Sequence, residues 1–137
     1  AVIEALNYLG VSKVAVATPY VEEVNERERE FLEAAGIKVV SIKGLGLADN
    51  LDIGGLAPED AYNLALKVDR PEAQAVFISC TNFRTIEVIE KLEKELGKPV
   101  ISSNTATVWY VLSWAGLGPV RGPGLLLSSQ GGLKPDR

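Results

Sequence analysis

The sequence is short of the residues on which common hydrolytic and metal sites depend. It contains no histidine and no methionine, and Cys80 is its single cysteine. Without histidine there can be no Ser-His-Asp triad, no Cys-His pair and no HExxH motif, and one thiol offers too few ligands for structural zinc. A single cysteine also cannot form an internal disulfide, which favours a cytoplasmic location. Any chemistry that Cys80 performs must therefore proceed without an imidazole partner.

Long apolar runs and clusters of basic residues are also missing. No stretch approaches the ~20 apolar residues of a membrane-spanning helix, and no signal-peptide pattern opens the chain. The net charge is −4 and the basic residues are scattered, so neither nucleic acid nor a membrane is expected as a partner. Since the chain begins with Ala1 and lacks methionine, we expect it to be a processed or excised piece of a longer protein.

Apolar, β-branched runs alternate with helical patterns along the chain. The predicted strands cover 13–18, 37–42, 74–79 and 99–103, and the predicted helices cover 1–9, 21–35, 59–68, 83–96 and about 105–115. Such alternation forms βαβ units. We therefore predict an α/β fold, a flavodoxin-like doubly wound parallel sheet of about four strands with helices on both faces. One domain is expected to cover 1–127, with a flexible tail over 128–137.

Local signals add detail to this outline. Pro19 is expected to end the first strand, the glycine-rich segment 44–56 to form a loop, and Asn104 or Thr105 to cap the last helix. In the helix over 21–35, the apolar side is expected to hold Val21, Val24, Phe31, Leu32 and Ala35, whereas the charged residues of 22–30 face water.

Cys80 holds the most informative position in this outline. It follows the apolar run 75–79 and precedes a helix predicted to begin at Phe83. Open α/β sheets bind ligands at the carboxyl ends of their strands, and a helix amino end offers free N–H groups and a partial positive charge. Both features favour a thiolate at this position.

Polar residues follow the other strands at the same predicted edge of the sheet. The segments are 18–20, 44–50, 79–82 and 102–104. They are rich in hydroxyls, amides and glycines and poor in charge, which suits a small carboxylate held by neutral donors. Since no P-loop pattern accompanies them, a nucleoside triphosphate is not expected.

Each of these residues also has a purely structural interpretation. Cys80 could be a small buried hydrophobe, and Tyr20 could pack at a strand end with its hydroxyl in water. Asn50 and Asn82 fit helix caps or turns, and Gly44 and Gly46 fit turns that need unusual backbone angles.

Four short motifs, taken in order and spacing, go beyond these local interpretations. They are Thr18-Pro19-Tyr20 with Asn25, Gly44-Leu45-Gly46 with Asn50, Ser79-Cys80-Thr81-Asn82 followed by Arg84-Thr85, and Ser102-Ser103-Asn104. Together they resemble the maleate cis-trans isomerase and arylmalonate decarboxylase family of the aspartate/glutamate racemase superfamily. The resemblance runs from about Leu6 to Leu127 and corresponds to the second half of such an enzyme plus its C-terminal segment.

The resemblance implies an enzyme without cofactor or metal that acts on a small dicarboxylate. Family members have two similar α/β halves with the active site between them; isomerases and racemases use one catalytic cysteine from each half, whereas decarboxylases keep one. Cys80 matches the second-half cysteine, and Tyr20 and Asn50 match carboxylate-binding positions. The amide of Thr81 matches an oxyanion donor, and the hydroxyl of Thr81 or Asn82 could assist.

The chain departs from the family in having no first-half cysteine. We expect the second half of a maleate-to-fumarate isomerase, whose open half-site could also drive homodimerisation. An arylmalonate-type decarboxylase, an amino-acid racemase and a non-catalytic carboxylate-binding or assembly module remain alternatives.

Overall fold

The computed structural model describes residues 1–129, and in this range it shows a fully parallel sheet between two layers of helices. The strands are β1 (Lys13–Tyr20), β2 (Lys38–Leu47), β3 (Ala75–Ile78) and β4 (Val100–Ser102). The helices are α1 (Val2–Tyr8), α2 (Glu22–Ala34), α3 (Asn50–Gly54), α4 (Pro58–Val68), α5 (Ile89–Leu96), α6 (Ser103–Trp114) and α7 (Gly124–Ser128). The strand order is β2-β1-β3-β4. The predicted doubly wound α/β fold is thus confirmed.

The two central strands supply both faces of the sheet with apolar side chains. Because side chains alternate along a strand, Ala17 and Ile78 pack on the face covered by α3, α4 and α5, whereas Val16 and Phe77 pack on the face covered by α1, α2, α6 and α7. The sheet is therefore rigidly held from both sides, and its strand ends form a firm base for polar side chains.

The first strand runs past Pro19, which was predicted to end it. Thr18 pairs with Gly44 and Tyr20 pairs with Leu47, so Pro19 falls in a register irregularity between the two. A residue without an N–H is tolerated there because no ladder hydrogen bond is required of it. The consequence is that Tyr20 belongs to the sheet and has a fixed position.

The prediction of a loop over 44–56 is also wrong. Residues 44–47 complete β2, and α3 follows, with the side chain of Asp49 accepting a hydrogen bond from the N–H of Leu51 at 2.7 Å. Gly46 adopts a φ of 76°, which glycine allows at the bulge opposite Pro19.

The helix predicted from Phe83 begins only at Ile89. The segment 83–88 is an irregular turn in which Phe83 and Val88 are buried, and buried side chains in a turn can imitate helical spacing. Neither predicted cap of α6 is correct, since Ser102 is the N-cap and its hydroxyl accepts a hydrogen bond from the N–H of Thr105 at 3.1 Å.

The faces of α2 also differ from the prediction. Leu32 is buried, as predicted, but Val24, Phe31 and Ala35 are exposed, Phe31 by 62%, and the polar Asn25 is buried instead. Glu28, predicted to face water, is half-buried. The true buried face is defined by Asn25 and Leu32, which lie two helical turns apart.

The C-terminal segment contains a short helix that its glycines and prolines did not suggest. Ser128, the first residue of the predicted tail, is the last residue of α7, and 130–137 lie outside the described residues. Within 1–129, no helix combines the length and apolar character needed to span a membrane.

Candidate active site

Two candidate residues lie at the switch point of the sheet, where the strand order reverses. Strand β1 lies between β2 and β3, so successive connections leave it on opposite sides. Ligands of doubly wound sheets bind at the carboxyl ends of the strands at such a point. Tyr20 ends β1 and Cys80 follows β3, so these residues flank the expected crevice.

Cys80 is held in an unusual backbone conformation at this crevice. Its φ is 95°, a region that residues with a Cβ rarely adopt. Its side chain is buried, and its N–H donates a hydrogen bond to the hydroxyl of Ser103 at 3.1 Å. Because Ser103 is the first residue of α6, the helix start beside Cys80 is that of α6 and not, as predicted, the helix that follows Cys80 in sequence.

The hydroxyl of Tyr20 reaches the thiol. It lies close enough to the side chains of Cys80 and Ser79 to interact with both electrostatically. Burial, and next the interaction with Cys80, raise the pKa of Tyr20 well above its ordinary value. Tyr20 is therefore a neutral hydroxyl donor throughout the physiological pH range, able to stabilise a thiolate or a substrate carboxylate.

A buried polar contact fixes the backbone that carries Tyr20. Thr18 and Asn25 are joined by a side-chain hydrogen bond, and the Thr18 hydroxyl accepts another from the N–H of Tyr20 at 3.1 Å. Gly44 packs directly against this contact: a Cβ on Gly44 would lie 2.2 Å from the carbonyl oxygen of Tyr20 and 2.5 Å from Nδ2 of Asn25. Glycine is needed at position 44 because the backbone there lies close to Tyr20 and Asn25, and not because of the unusual backbone angle that the sequence suggested.

The remaining candidates form an exposed group beside the crevice. Asn50, Thr81 and Asn82 are all exposed. The side-chain amide of Asn82 donates to the carbonyl oxygen of Asn50 at 2.6 Å, and that of Asn104 donates to the carbonyl oxygen of Thr81 at 3.0 Å. The structure thus brings Asn50 and Asn82 into contact, as it does Tyr20 and Cys80. The catalytic role of Cys80 and the substrate-binding roles of Tyr20, Asn50, Thr81 and Asn82 stay predictions.

A groove beside Tyr20 contains residues that sequence reasoning did not select. It has a volume of about 420 Å³ and is lined by Tyr20, Glu28, Ser79 and Ser103, with Phe31 and other apolar side chains around them. Burial raises the pKa of Glu28, while a hydrogen bond from Ser79 lowers it in part. The available signal was position: Glu28 is three residues after Asn25, which places both on the inner side of α2.

A second groove follows the turn after Cys80. It has a volume of about 510 Å³ and is lined by Thr81, Asn82, Arg84, Thr85 and Asn104, among others. Arg84 pairs with Glu87 at 2.8 Å, and Thr85 is buried without a hydrogen-bond partner for its hydroxyl. Within 1–129, no group of three or more acidic, cysteine or histidine side chains forms a metal site.

The fold and this edge define a class: a doubly wound α/β domain with a thiol and a tyrosine hydroxyl at the switch point of the sheet. Comparison with known families gives a narrower assignment. The family described as arylmalonate decarboxylase matches residues 1–127, and the chain belongs to that family.

Individual relatives agree with this assignment. The chain is 32% identical over 137 residues to a maleate isomerase of Alcaligenes faecalis, covering 98% of this chain and 53% of that protein. A variant of the maleate isomerase of Pseudomonas putida S16, solved with maleate, superposes with a TM-score of 0.90 at 28% identity, covering 94% of this chain and 52% of the other.

A third relative carries a covalent adduct. It is a cysteine-to-serine variant of the Nocardia farcinica maleate cis-trans isomerase with a covalently bound succinylcysteine intermediate, and it superposes with a TM-score of 0.88 at 30% identity over 92% of this chain and 52% of that one. The chain therefore spans about half the length of the relatives it matches.

Proposed function

We propose that this chain is the second half, with one of the catalytic thiols, of a cofactor-independent enzyme that isomerises small dicarboxylates of the maleate-to-fumarate type. The observation that carries the proposal is the position of Cys80, which is held at a φ of 95° after β3, beside Tyr20 at the end of β1, at the switch point. The similarity to maleate isomerases, one with bound maleate and one with a succinylcysteine, supports it.

The chemistry requires a thiolate and a means of holding negative charge. A thiolate adds to one olefinic carbon, the π electrons move toward the neighbouring carbon and its carboxylate, and the central bond becomes single and rotates. Loss of the thiolate then restores the double bond in the trans form. Cys80 has one of two roles. Either its sulfur forms the carbon–sulfur bond, or a second thiol forms that bond while Cys80 gives a proton to the neighbouring carbon and takes it back.

We assign the other candidate residues to substrate binding. Tyr20 and Asn50 bind a carboxylate, the N–H of Thr81 stabilises the developing oxyanion, and Asn82 assists. No metal or cofactor is assigned a role. Since the chain spans half the length of its relatives, the other wall of the site is assigned to a first half or to a second copy of this chain.

For the organisation of the chain, we propose that residues 1–127 form one domain. The single cysteine favours the cytoplasm, and no nucleic acid or membrane partner is assigned.

A second function, arylmalonate-type decarboxylation, is favoured by one observation. The matched family is described as arylmalonate decarboxylase, and a protonation reaction needs only the one thiol that the sequence contains. Cys80 would then protonate the carbanion or enolate that remains after carbon dioxide leaves.

Alkylation of Cys80 by iodoacetamide, followed by mass spectrometry with and without maleate, tests the proposal. We expect maleate to protect the thiol and acrylate, a monocarboxylate, not to protect it. Conversion of maleate to fumarate, followed by NMR, should be lost in Cys80→Ser, and release of carbon dioxide from phenylmalonate identifies the decarboxylase. Full turnover in Cys80→Ser would exclude Cys80 as a catalytic residue, and an inert, unprotected thiol would show that this half alone does not form a carboxylate-binding thiolate site.

A further inference from the structure

The first two residues of α6 bond to the segment that carries the thiol. The hydroxyl of Ser103 accepts a hydrogen bond from the N–H of Cys80 at 3.1 Å, and the side-chain amide of Asn104 donates one to the carbonyl oxygen of Thr81 at 3.0 Å. Two successive residues of the helix are thus bonded to two successive residues of the turn after β3. Because one bond uses a donor of the turn and the other an acceptor, a slip of the turn by one residue would break both.

The two hydrogen bonds lie on either side of one peptide group, the one that joins Cys80 to Thr81. The carbonyl oxygen of this group accepts a third hydrogen bond, from the N–H of Phe83 at 3.3 Å. The peptide is trans, so its N–H points away from the side on which its carbonyl oxygen lies. Among residues 1–129, the N–H of Thr81 has no backbone acceptor outside the helices and strands. This donor is therefore fixed in direction and available to water or a ligand.

The start of α6 is itself fixed by the sheet. Ser102 is both the last residue of β4 and the N-cap of α6. Its N–H donates to the hydroxyl of Thr105 at 2.9 Å, its hydroxyl accepts from the N–H of Thr105 at 3.1 Å, and both residues are buried. This reciprocal pair caps the helix without using the side chains of Ser103 and Asn104. The thiol-bearing turn is thereby tied to β4 through α6.

The backbone conformation of Cys80 explains why such support is needed. A residue with a Cβ keeps a φ of 95° only where its surroundings hold it there. The hydrogen bond from Cys80 to Ser103 is made by the nitrogen of this same residue. If the bond is lost, the turn can relax toward an ordinary φ, and that rotation moves both the sulfur and the N–H of Thr81 relative to the sheet.

We propose that Ser103 and Asn104 are positioning residues for the reaction, which hold the peptide group between Cys80 and Thr81 so that the sulfur and the N–H of Thr81 keep one fixed relative geometry. The inference deepens the proposed function, on which it rests, by assigning the orientation of the thiol and the oxyanion donor to the first turn of α6. Both residues act through the turn, and neither needs to touch the substrate.

The rate of Cys80 alkylation by iodoacetamide at pH 7, without any ligand, tests the effect on the thiol. We expect Ser103→Ala to slow alkylation about threefold, because loss of one hydrogen bond lowers the population of the held conformation by such a factor. Asn104→Ala should slow it about twofold. Since release at either end frees the same peptide group, the double variant should be slower by less than the product of the two single effects.

Amide hydrogen exchange, followed by NMR on the ¹⁵N-labelled chain, tests the geometry directly. We expect the N–H of Cys80 to exchange slowly in the wild type and about tenfold faster in Ser103→Ala, because its acceptor is removed. The resonance of the Thr81 amide should shift in both Ser103→Ala and Asn104→Ala. Neither exchange nor alkylation requires substrate or turnover, so these results are independent of whether maleate is the substrate.

A conservative and a matched variant separate positioning from packing. Ser103→Thr keeps a hydroxyl acceptor and should restore slow exchange at Cys80 and an alkylation rate within about twofold of the wild type. Thr107→Ala removes a hydroxyl that donates to the carbonyl oxygen of Ser103 at 2.8 Å. It changes the same turn of α6 without breaking either bond to the thiol segment, and should alter neither measurement.

Three results would overturn the proposal. Ser103→Ala could speed exchange at Cys80 and leave alkylation unchanged, which would mean that the bond does not control the thiol. Ser103→Thr could be as slow as Ser103→Ala, or the double variant could show the full product of the single effects, as two independent structural residues would. If Ser103→Ala does not fold, Asn104→Ala breaks the other bond, and an unchanged Thr81 resonance with an unchanged alkylation rate would refute the proposal.

Discussion

Two regions of the candidate site, lying side by side at one edge of the sheet, are built in opposite ways. The thiol corner consists of Tyr20, Ser79, Cys80 and Ser103; its groups are buried or half-buried, and the N–H of Cys80 donates a hydrogen bond to the hydroxyl of Ser103. The amide rim consists of Asn50, Thr81, Asn82 and Asn104; the first three are exposed, and the amides of Asn82 and Asn104 donate to backbone carbonyls.

The difference assigns different tasks to the two regions. Hydrogen bonds in the low-dielectric corner are strong and directional, so the orientation of the thiol and the tyrosine hydroxyl is set before any ligand binds. Water competes for the polar groups of the rim, which must be covered before their interactions with a carboxylate reach full strength. Reactivity is thus built into this half, whereas enclosure of a substrate depends on whatever packs over the rim.

The largest effect is expected where the thiol corner rests on the backbone. Gly44→Ala would place a methyl group 2.2 Å from the carbonyl oxygen of Tyr20, so the strand end must shift. We expect a loss of about 3 kcal/mol in the free energy of unfolding, measured in urea, together with slower alkylation of Cys80. Gly55→Ala is the control, because its methyl group would lie 3.5 Å from its nearest neighbours; equal losses in the two variants would show that the corner does not depend on Gly44.

A smaller effect should reveal the strain stored at Cys80. Both Cys80→Ala and Cys80→Gly remove the sulfur, but only glycine adopts a φ of 95° without steric cost. We expect the glycine variant to be more stable than the alanine variant by about 1 kcal/mol in urea unfolding. Equal stabilities would mean that the backbone at this position relaxes once the sulfur is removed.

Much of the fold and the corner could be predicted from local patterns. Alternation of apolar runs and helices is sufficient for the doubly wound sheet, and its topology alone brings residues at strand ends to one edge. Cys80 and Tyr20 were selected on this basis. The prediction that Pro19 ends β1 failed because the effect of a proline depends on how β2 pairs with β1, and the register of that pairing is not a local property.

Other features depend on which surfaces meet and were not accessible from local patterns. The charged neighbours of Glu28 on α2 indicated a solvated face, yet Glu28 is half-buried in a groove that Ser79 also lines. Asn25 follows the same logic, as a polar residue buried because Thr18 provides a partner. Val88 lies four residues before Leu92, which fits a helical period, but Val88 and Phe83 are buried in a turn.

The smallest effect on stability is expected in the amide rim, and it sharpens the contrast with the corner. Asn82→Ala removes the hydrogen bond to the carbonyl oxygen of Asn50, but water can replace it at this exposed position, so the free energy of unfolding should fall by only about 0.5 kcal/mol. Asn104→Ala removes an equivalent bond and should behave alike. The same Asn82→Ala variant should weaken protection of Cys80 by maleate about tenfold, because it removes a donor to a charged carboxylate. A large loss of stability with unchanged protection would mean that the rim braces the fold and does not bind the ligand.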